Sequence, residues 1–294
     1  MSGWLEASLD IEEAHRESIE QALESLGAEA IVLEDAGDVP ILEPGPGETP
    51  LWPCIRLSAL FAFDADRADI LLGLLAAVPG VSAQQVAFRE IAEQDWTRAW
   101  MDRYRPMRFG QRLWIYPGHI TPPEGDDAVI VRLDPGLAFG TGTHPTTALC
   151  LEALDGMDLE GCDVLDFGCG SGILAIAALK LGARAATAVD NDPQALTASA
   201  ANARTNTVAE RLSLIAAEDF RAHGYDVVVA NILAKPLIDL APMLLACTRQ
   251  GARLLLSGIL AEQADAVAAA YAPHLGRIER SEREGWVRLG GWRR

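Results

Sequence analysis

Residues 164–172, VLDFGCGSG, leave the chain few architectures. They read as an apolar strand that breaks into three glycines, Gly168, Gly170 and Gly172, and gives way to a helix near Ile173. Glycine lets a backbone turn sharply at a strand end and come close to a ligand, so the run belongs in a parallel α/β sheet with a binding site over the turn. The flanking pattern agrees. Asp163–Phe167, Ala185–Asp190, Leu212–Ala216, 226–230 and 253–257 are apolar strand-length runs, separated by helical stretches at βα spacing. Apolar strands of this kind need cover on both faces, which predicts a mostly parallel, Rossmann-like sheet within residues 111–294.

The first 90 residues have a different rhythm. An extended start over 4–11 is followed by Ile19, Leu23 and Leu26 at helical spacing, with Gly27 ending the helix. Residues 30–33 read as a strand, 40–53 (PILEPGPGETPLWP) as a loop, 54–63 as a strand and 66–78 as a helix; after Pro79 and Gly80 a last strand is expected over 83–89. The order β-α-β-β-α-β predicts a small ferredoxin-like α+β domain over residues 1–90. Residues 91–104 (IAEQDWTRAWMDRY) have helical character and stop before Pro106, so 91–110 is expected to be a helical linker. Trp96 and Trp100, one turn apart on it, fit packing better than a substrate platform.

Charge and cysteine usage exclude whole classes of function. The chain carries a net charge of −18, and residues 1–105 hold 20 Asp and Glu against 7 Arg. A nucleic-acid binder needs a basic face to neutralise phosphates, so no direct nucleic-acid partner is expected. A basic protein partner suits the balance, as does a solvated surface that maintains solubility. The five cysteines show no C-x-x-C pair and the five histidines no ligand spacing, so neither disulfides nor a metal are expected. No segment has the roughly 18 apolar residues of a membrane helix, and residues 1–10 lack a signal-peptide layout, which leads to the expectation of a cytoplasmic enzyme with no membrane partner.

Two enzyme classes place a glycine turn after the first strand. In the dinucleotide fingerprint G-x-G-x-x-G the third glycine would stand at position 173, where this chain has Ile173. Asp190, closing the second strand in TAVDND, can hold ribose hydroxyls in either class. Asp166 fits a methyltransferase, where it would lie near the methionine amine of the cofactor. Residues 226–236, DVVVANILAKP, weigh further on that side: NILA resembles the N/D-P-P-Y type motif of amino-group methyltransferases, in which an amide and a carbonyl accept hydrogen bonds from the target nitrogen. Asn231 is therefore the candidate for orienting a substrate amine, and for touching the cofactor. Its competing role is to cap a helix opening at Pro236.

Upstream, residues 133–149 (LDPGLAFGTGTHPTTAL) run through a Gly- and Thr-rich loop into a helix starting near Pro145. Together with DFGCGSG, AVDND and NILA, this segment closely resembles the bacterial methyltransferases that modify ribosomal protein L11, and the resemblance runs the length of the chain. It implies a class I S-adenosylmethionine-dependent enzyme that methylates lysine side-chain and N-terminal amines of a basic large-subunit ribosomal protein. It also implies cofactor contacts at Thr147, Gly168, Asp190 and Asn231. NILA departs from relatives that carry an aromatic there, and the loop over 40–53 is long.

Other residues keep two readings. Phe139 either closes over the methyl group or anchors its loop. His144 is either a base or a contact at the helix start. Asp219, after the third strand, either meets the adenine amino group or caps a turn. Two further functions compete, a methyltransferase acting on RNA or a small-molecule amine, and a nicotinamide-dependent oxidoreductase; titration with the two cofactors separates the latter.

Overall fold

The computed structural model describes residues 3–37, 51–77, 81–92, 105–122, 128–133 and 142–294. The chain divides into two units, Met1–Ala99 and Trp100–Arg294. Among the described residues no helix is long and apolar enough to cross a membrane.

In the first unit, alternation of apolar and polar residues makes β1 (Gly3–Glu12) and β3 (Cys54–Ala62) central strands. With α1 (Arg16–Ser25), β2 (Ala30–Asp35), α2 (Arg67–Ala77) and β4 (Ala87–Ala92) they form an antiparallel sheet of order β2-β3-β1-β4. This is the expected split βαβ, ferredoxin-like topology. Leu5, Ala7 and Leu9 of β1 and Ile55, Leu57 and Phe61 of β3 bury one sheet face with Ile19 and Leu23 of α1 and Ile70 and Leu74 of α2. The last strand begins four residues later than the sequence suggests. Residues Ala83–Gln85 form a 3-10 turn instead, in which Gln85 Oε1 accepts from the Ser82 backbone nitrogen at 2.8 Å. That local bond offers the backbone an alternative to the sheet.

The helical linker expected over 91–110 has strand at both ends, Ile91 and Ala92 in β4 and β5 (Met107–Phe109). Its middle, with Trp96 and Trp100, lies outside the described residues, as do most of the 40–53 loop and Phe139.

In the second unit, β5, β6 (Leu113–Tyr116) and β7 (Val129–Arg132) form a three-stranded sheet. After α3 (Pro145–Asp155) come β8 (Asp163–Phe167), α4 (Ile173–Lys180), β9 (Ala185–Asp190), α5 (Pro193–Thr205), β10 (Leu212–Ala216) and β11 (Tyr225–Asn231). The chain ends through α6 (Ala234–Asp239), α7 (Ala241–Cys247), β12 (Thr248–Leu260), α8 (Ala264–Tyr271), β13 (Glu279–Arg283) and β14 (Trp286–Trp292). Sheet order is β10-β9-β8-β11-β12-β14-β13; the first five strands are parallel, and β14 pairs antiparallel with both β12 and β13. The terminal hairpin, which the sequence reading did not anticipate, turns through Glu284 and Gly285 at φ 52° and 77°. Two consecutive positive φ values suit the right-handed twist of a tight hairpin.

The strands alternate between two cores. Val164, Val227, Val229 and Leu255 pack with α3 and α4, whereas Leu165, Val228, Ala230, Leu254 and Leu256 pack with α6, α7 and α8. Because β9 lies on one side of β8 and β11 on the other, the strand order reverses there. A crevice therefore opens beyond the carboxyl ends of β8 and β11, where ligands bind in open α/β sheets.

Candidate functional site

The site is assembled at that switch point. Past Phe167 the main chain enters the left-handed region at Gly168, Gly170 and Gly172, with φ of 77°, 53° and 77°. Such angles are costly for residues with a Cβ. The turn is pinned from three directions. The Gly168 and Cys169 nitrogens donate to the Val189 carbonyl of β9 at 2.8 and 3.0 Å. Asp190 Oδ2 accepts from the Gly170 nitrogen at 2.9 Å, while its Oδ1 takes the Asp192 nitrogen at 3.0 Å. From α5, buried Ser199 donates to the Gly170 carbonyl at 2.9 Å, and Asn202 Nδ2 to that of Ser171 at 2.8 Å. The same helix face continues to Asn206, which accepts from the Arg132 nitrogen and donates to its carbonyl, both at 2.7 Å, as a neighbouring strand would.

Asp166 stands behind the turn. Its Oδ2 accepts from the Ala175 nitrogen at 3.0 Å, but Oδ1 is buried without a hydrogen-bond partner. Burial pushes the carboxyl up to about 7, against the pull of the Ala175 N–H and with a further push from Asp190.

A cavity of about 600 Å³ occupies the crevice, with Phe167, Gly168 and Asp190 on one wall and Asn231, Ile232 and Gly258 on another. Strand parity explains why Asn231 reaches α3. It lies two residues beyond Val229, the register partner of Asp166, and so shares the face of both. Its Nδ2 donates to buried Thr147 Oγ1 at 3.3 Å. The next residue is clamped by two glycines. A Cβ on Gly168 would overlap Ile232 Cγ2, and one on Gly258, at φ 85°, would overlap the Ile232 carbonyl. Gly258 lies at the register shift between β12 and β14, where a bulge re-aims the backbone.

His144 caps α3, with Nδ1 accepting from the Thr146 nitrogen at 3.3 Å, and its ring meets that of Trp286 edge-on at 4.7 Å. Burial holds its imidazole below the ordinary histidine value, which suits the neutral acceptor that a cap requires. The contact at the helix start, rather than a base, is what this geometry supports.

Of the residues singled out from sequence, His144, Gly168, Asp190 and Asn231 line the cavity. Gly170 and Thr147 bond to lining residues, and Asp166 is buried behind them. Asp219 is not brought to the cavity. It is exposed in a turn after β10, its nitrogen bonded to the Ala216 carbonyl, and Ala217 lines the wall instead. Asn231 is not a cap either, because α6 starts at Ala234 with Leu233 at its cap. Sequence reasoning missed Ser199, Asn202, Gly258 and Trp286. The first two have a signal, polar residues on the inner side of an otherwise small-residue helix; Trp286 comes from a distant hairpin and has none. Among the described residues no group of three or more His, Cys, Asp or Glu could hold a metal.

Comparisons with known proteins converge. The family model described as ribosomal protein L11 methyltransferase (PrmA) matches residues 3–294. Proteins named ribosomal protein L11 methyltransferase from Pseudomonas aeruginosa (strain UCBPP-PA14) and Pseudomonas syringae pv. tomato are each 53% identical over 292 residues, covering 99% of both chains. The crystal structure of ribosomal protein L11 methylase from Lactobacillus delbrueckii subsp. bulgaricus is similar with a TM-score of 0.60 at 34% identity, covering 65% of this chain and all of that one.

Proposed function

This chain belongs to the ribosomal protein L11 methyltransferase family, and on that premise we propose that it transfers methyl groups from S-adenosylmethionine to lysine side-chain and N-terminal amines of ribosomal protein L11. The observation that carries the amine assignment is the meeting, in one cavity, of the Gly168 turn with Asn231. The turn suits a cofactor, and the asparagine suits a nitrogen nucleophile.

The residues fit the cofactor on their chemistry. S-adenosylmethionine carries positive charge at its sulfonium and, near neutral pH, at its amine; Asp190 lines the cavity, and behind it Asp166, whose charge burial disfavours, keeps a buried oxygen that lacks a partner and that a cationic ligand would suit. Asp190 would hold the ribose hydroxyls, since each of its oxygens has a lone pair left after the bonds to Gly170 and Asp192. Gly168 leaves the main chain open to close approach, and Thr147 stands beside Asn231. Phe167, Val189 and Ala217 supply apolar wall for a planar base.

Bound there, the cofactor supplies a methyl group that its sulfonium has already activated, so no covalent enzyme intermediate is needed. The protein aligns the amine and excludes water. A lysine amine, with an ordinary pKa near 10.4, must shed its proton before it can attack, and entry into a partly apolar cavity favours its neutral form. Asn231 Oδ1 accepts from the neutral amine and points its lone pair inward. As positive charge grows on nitrogen, the same oxygen stabilises it. Water carries the released proton away.

Incubating the enzyme with ribosomal protein L11 and S-adenosylmethionine, followed by peptide mass spectrometry, tests this reading. Mass increments on lysine side chains and on the amino terminus are expected. Label found only on RNA, or an unmodified L11, would refute it.

A further inference from the structure

A carboxylate taken out of water needs several donors or a cation to hold its charge, and without them it keeps its proton. Asp166 is 1% exposed, and its register partners, Ala188 of β9 and Val229 of β11, are apolar and fully buried. One hydrogen bond reaches it. The Ala175 nitrogen, in the first turn of α4, donates to Oδ2, while Oδ1 has no partner.

Among the described residues, the titratable groups that face it supply no cation. Asp190, at the end of β9, adds a like charge. Cys169 in the glycine turn and Cys150 of α3 are thiols that burial pushes far above their ordinary value, so neither is charged near neutral pH. S-adenosylmethionine brings the missing cation, at its sulfonium and at its amine. Gly168, two residues beyond Asp166, is cavity wall, so a cation bound against the turn enters the field of the buried carboxyl. An opposite charge within about 6 Å moves a carboxyl pKa down by about 1–3.

We propose that Asp166 is a carboxylic acid in the free enzyme and a carboxylate in the cofactor complex, so that binding of S-adenosylmethionine breaks its O–H bond and passes the proton to solvent. This deepens the cofactor reading above and rests on it. Affinity for the cofactor then depends on pH. Below the free-enzyme value of about 7 the proton has to be expelled, and each pH unit costs up to about ten-fold in affinity. Above that value the affinity levels off.

Calorimetric titration of the full-length enzyme with S-adenosylmethionine at about pH 6, in phosphate and in imidazole buffer, counts the proton, because the two buffers take up protons with different heats. The cofactor's own α-amine, with an ordinary pKa of about 7.7–8.0, is already charged there and adds nothing. Release of most of one proton per cofactor is expected, with affinity rising roughly ten-fold between pH 5.5 and 7. Asp166→Asn can keep the Ala175 bond, and should bind cofactor with that release lost and a nearly level affinity. Any release left in the variant belongs to His144, whose imidazole lines the cavity and which a bound cation also keeps neutral. Infrared difference spectra of the wild type give a readout that needs no variant: the carbonyl band of a protonated carboxyl should vanish on adding cofactor. Cofactor binding without proton release, or equal release by wild type and Asp166→Asn, would overturn the inference. Absence of any S-adenosylmethionine binding by the wild type would instead refute the cofactor reading.

Discussion

At Asp166 the fold holds a carboxyl in a place where its charge is disfavoured. Its pKa rises from 3.8 to about 7, so the folded protein keeps a proton that the unfolded chain releases near pH 4. The stability linked to that proton is fully present below about pH 4 and is lost as pH rises toward 7, with a slope of at most about 1.4 kcal/mol per pH unit. Asp166→Asn can keep the Ala175 bond without titrating. The variant should therefore gain on the wild type steadily between pH 4 and 7 in urea denaturation without cofactor; parallel profiles would show that the carboxyl ionises normally. Asp190 is bound to both the glycine turn and its own loop, and Asp190→Ala removes a charged acceptor from each. Bonds to charged groups contribute about 1.5–3 kcal/mol, so affinity for S-adenosylmethionine should fall roughly ten-fold or more by calorimetry. Both carboxylates were legible in the sequence because each stands beside a strand end. Asp219 looked equivalent by position alone. Nothing in a single sequence states that its turn faces solvent and leaves the wall to Ala217.

Among elements, the glycines separate into those that need only their conformation and those that also need their missing side chain. Gly161 has φ 71° and nothing within 4 Å of the place a Cβ would take, whereas Gly258 at φ 85° has the Ile232 carbonyl in that space. Gly161→Ala should cost about 1–2 kcal/mol, the ordinary penalty of a left-handed residue. Gly258→Ala should cost roughly 3 kcal/mol or more, since overlap with backbone adds to that penalty. Denaturant midpoints at unchanged slope would rank the two; an equal cost would mean that Ile232 moves aside freely. The parallel strands declared themselves through apolar runs, and α3 and α4 through Pro145 and the glycine turn. The β13–β14 hairpin did not, because ERSER is too polar to read as a strand and is recruited by pairing with β14. Tertiary context overrides propensity there. At Ala83–Gln85 the reverse occurs, and a local side-chain bond prevails over an extended run.

For the whole molecule, each unit has its own core, and the acidity is unevenly shared. Residues 1–48 hold 13 Asp and Glu and a single Arg, Arg16. We propose that the first unit recognises the ribosomal protein through this field. If so, methylation at low substrate should slow as salt shortens the Debye length from about 10 Å to 3 Å. A truncated chain should still bind S-adenosylmethionine yet methylate L11 poorly. Its start belongs at Arg105, since Phe109 is buried in β5 and a cut there would open the second core. Equal rates for full-length and truncated enzyme at every salt would leave the acidity with a solubility role alone. The alternation of β11 between two cores sets a further condition on how such a chain can vary. Valines 227, 228 and 229 can be exchanged for other branched residues at modest cost, but their number cannot change by one. Loss of a single residue would rotate Asn231 from Thr147 toward α6, and loss of two would restore the face while drawing the amide back by about 7 Å. Drift in this lineage is therefore free to rewrite the letters of the strand while its length stays fixed.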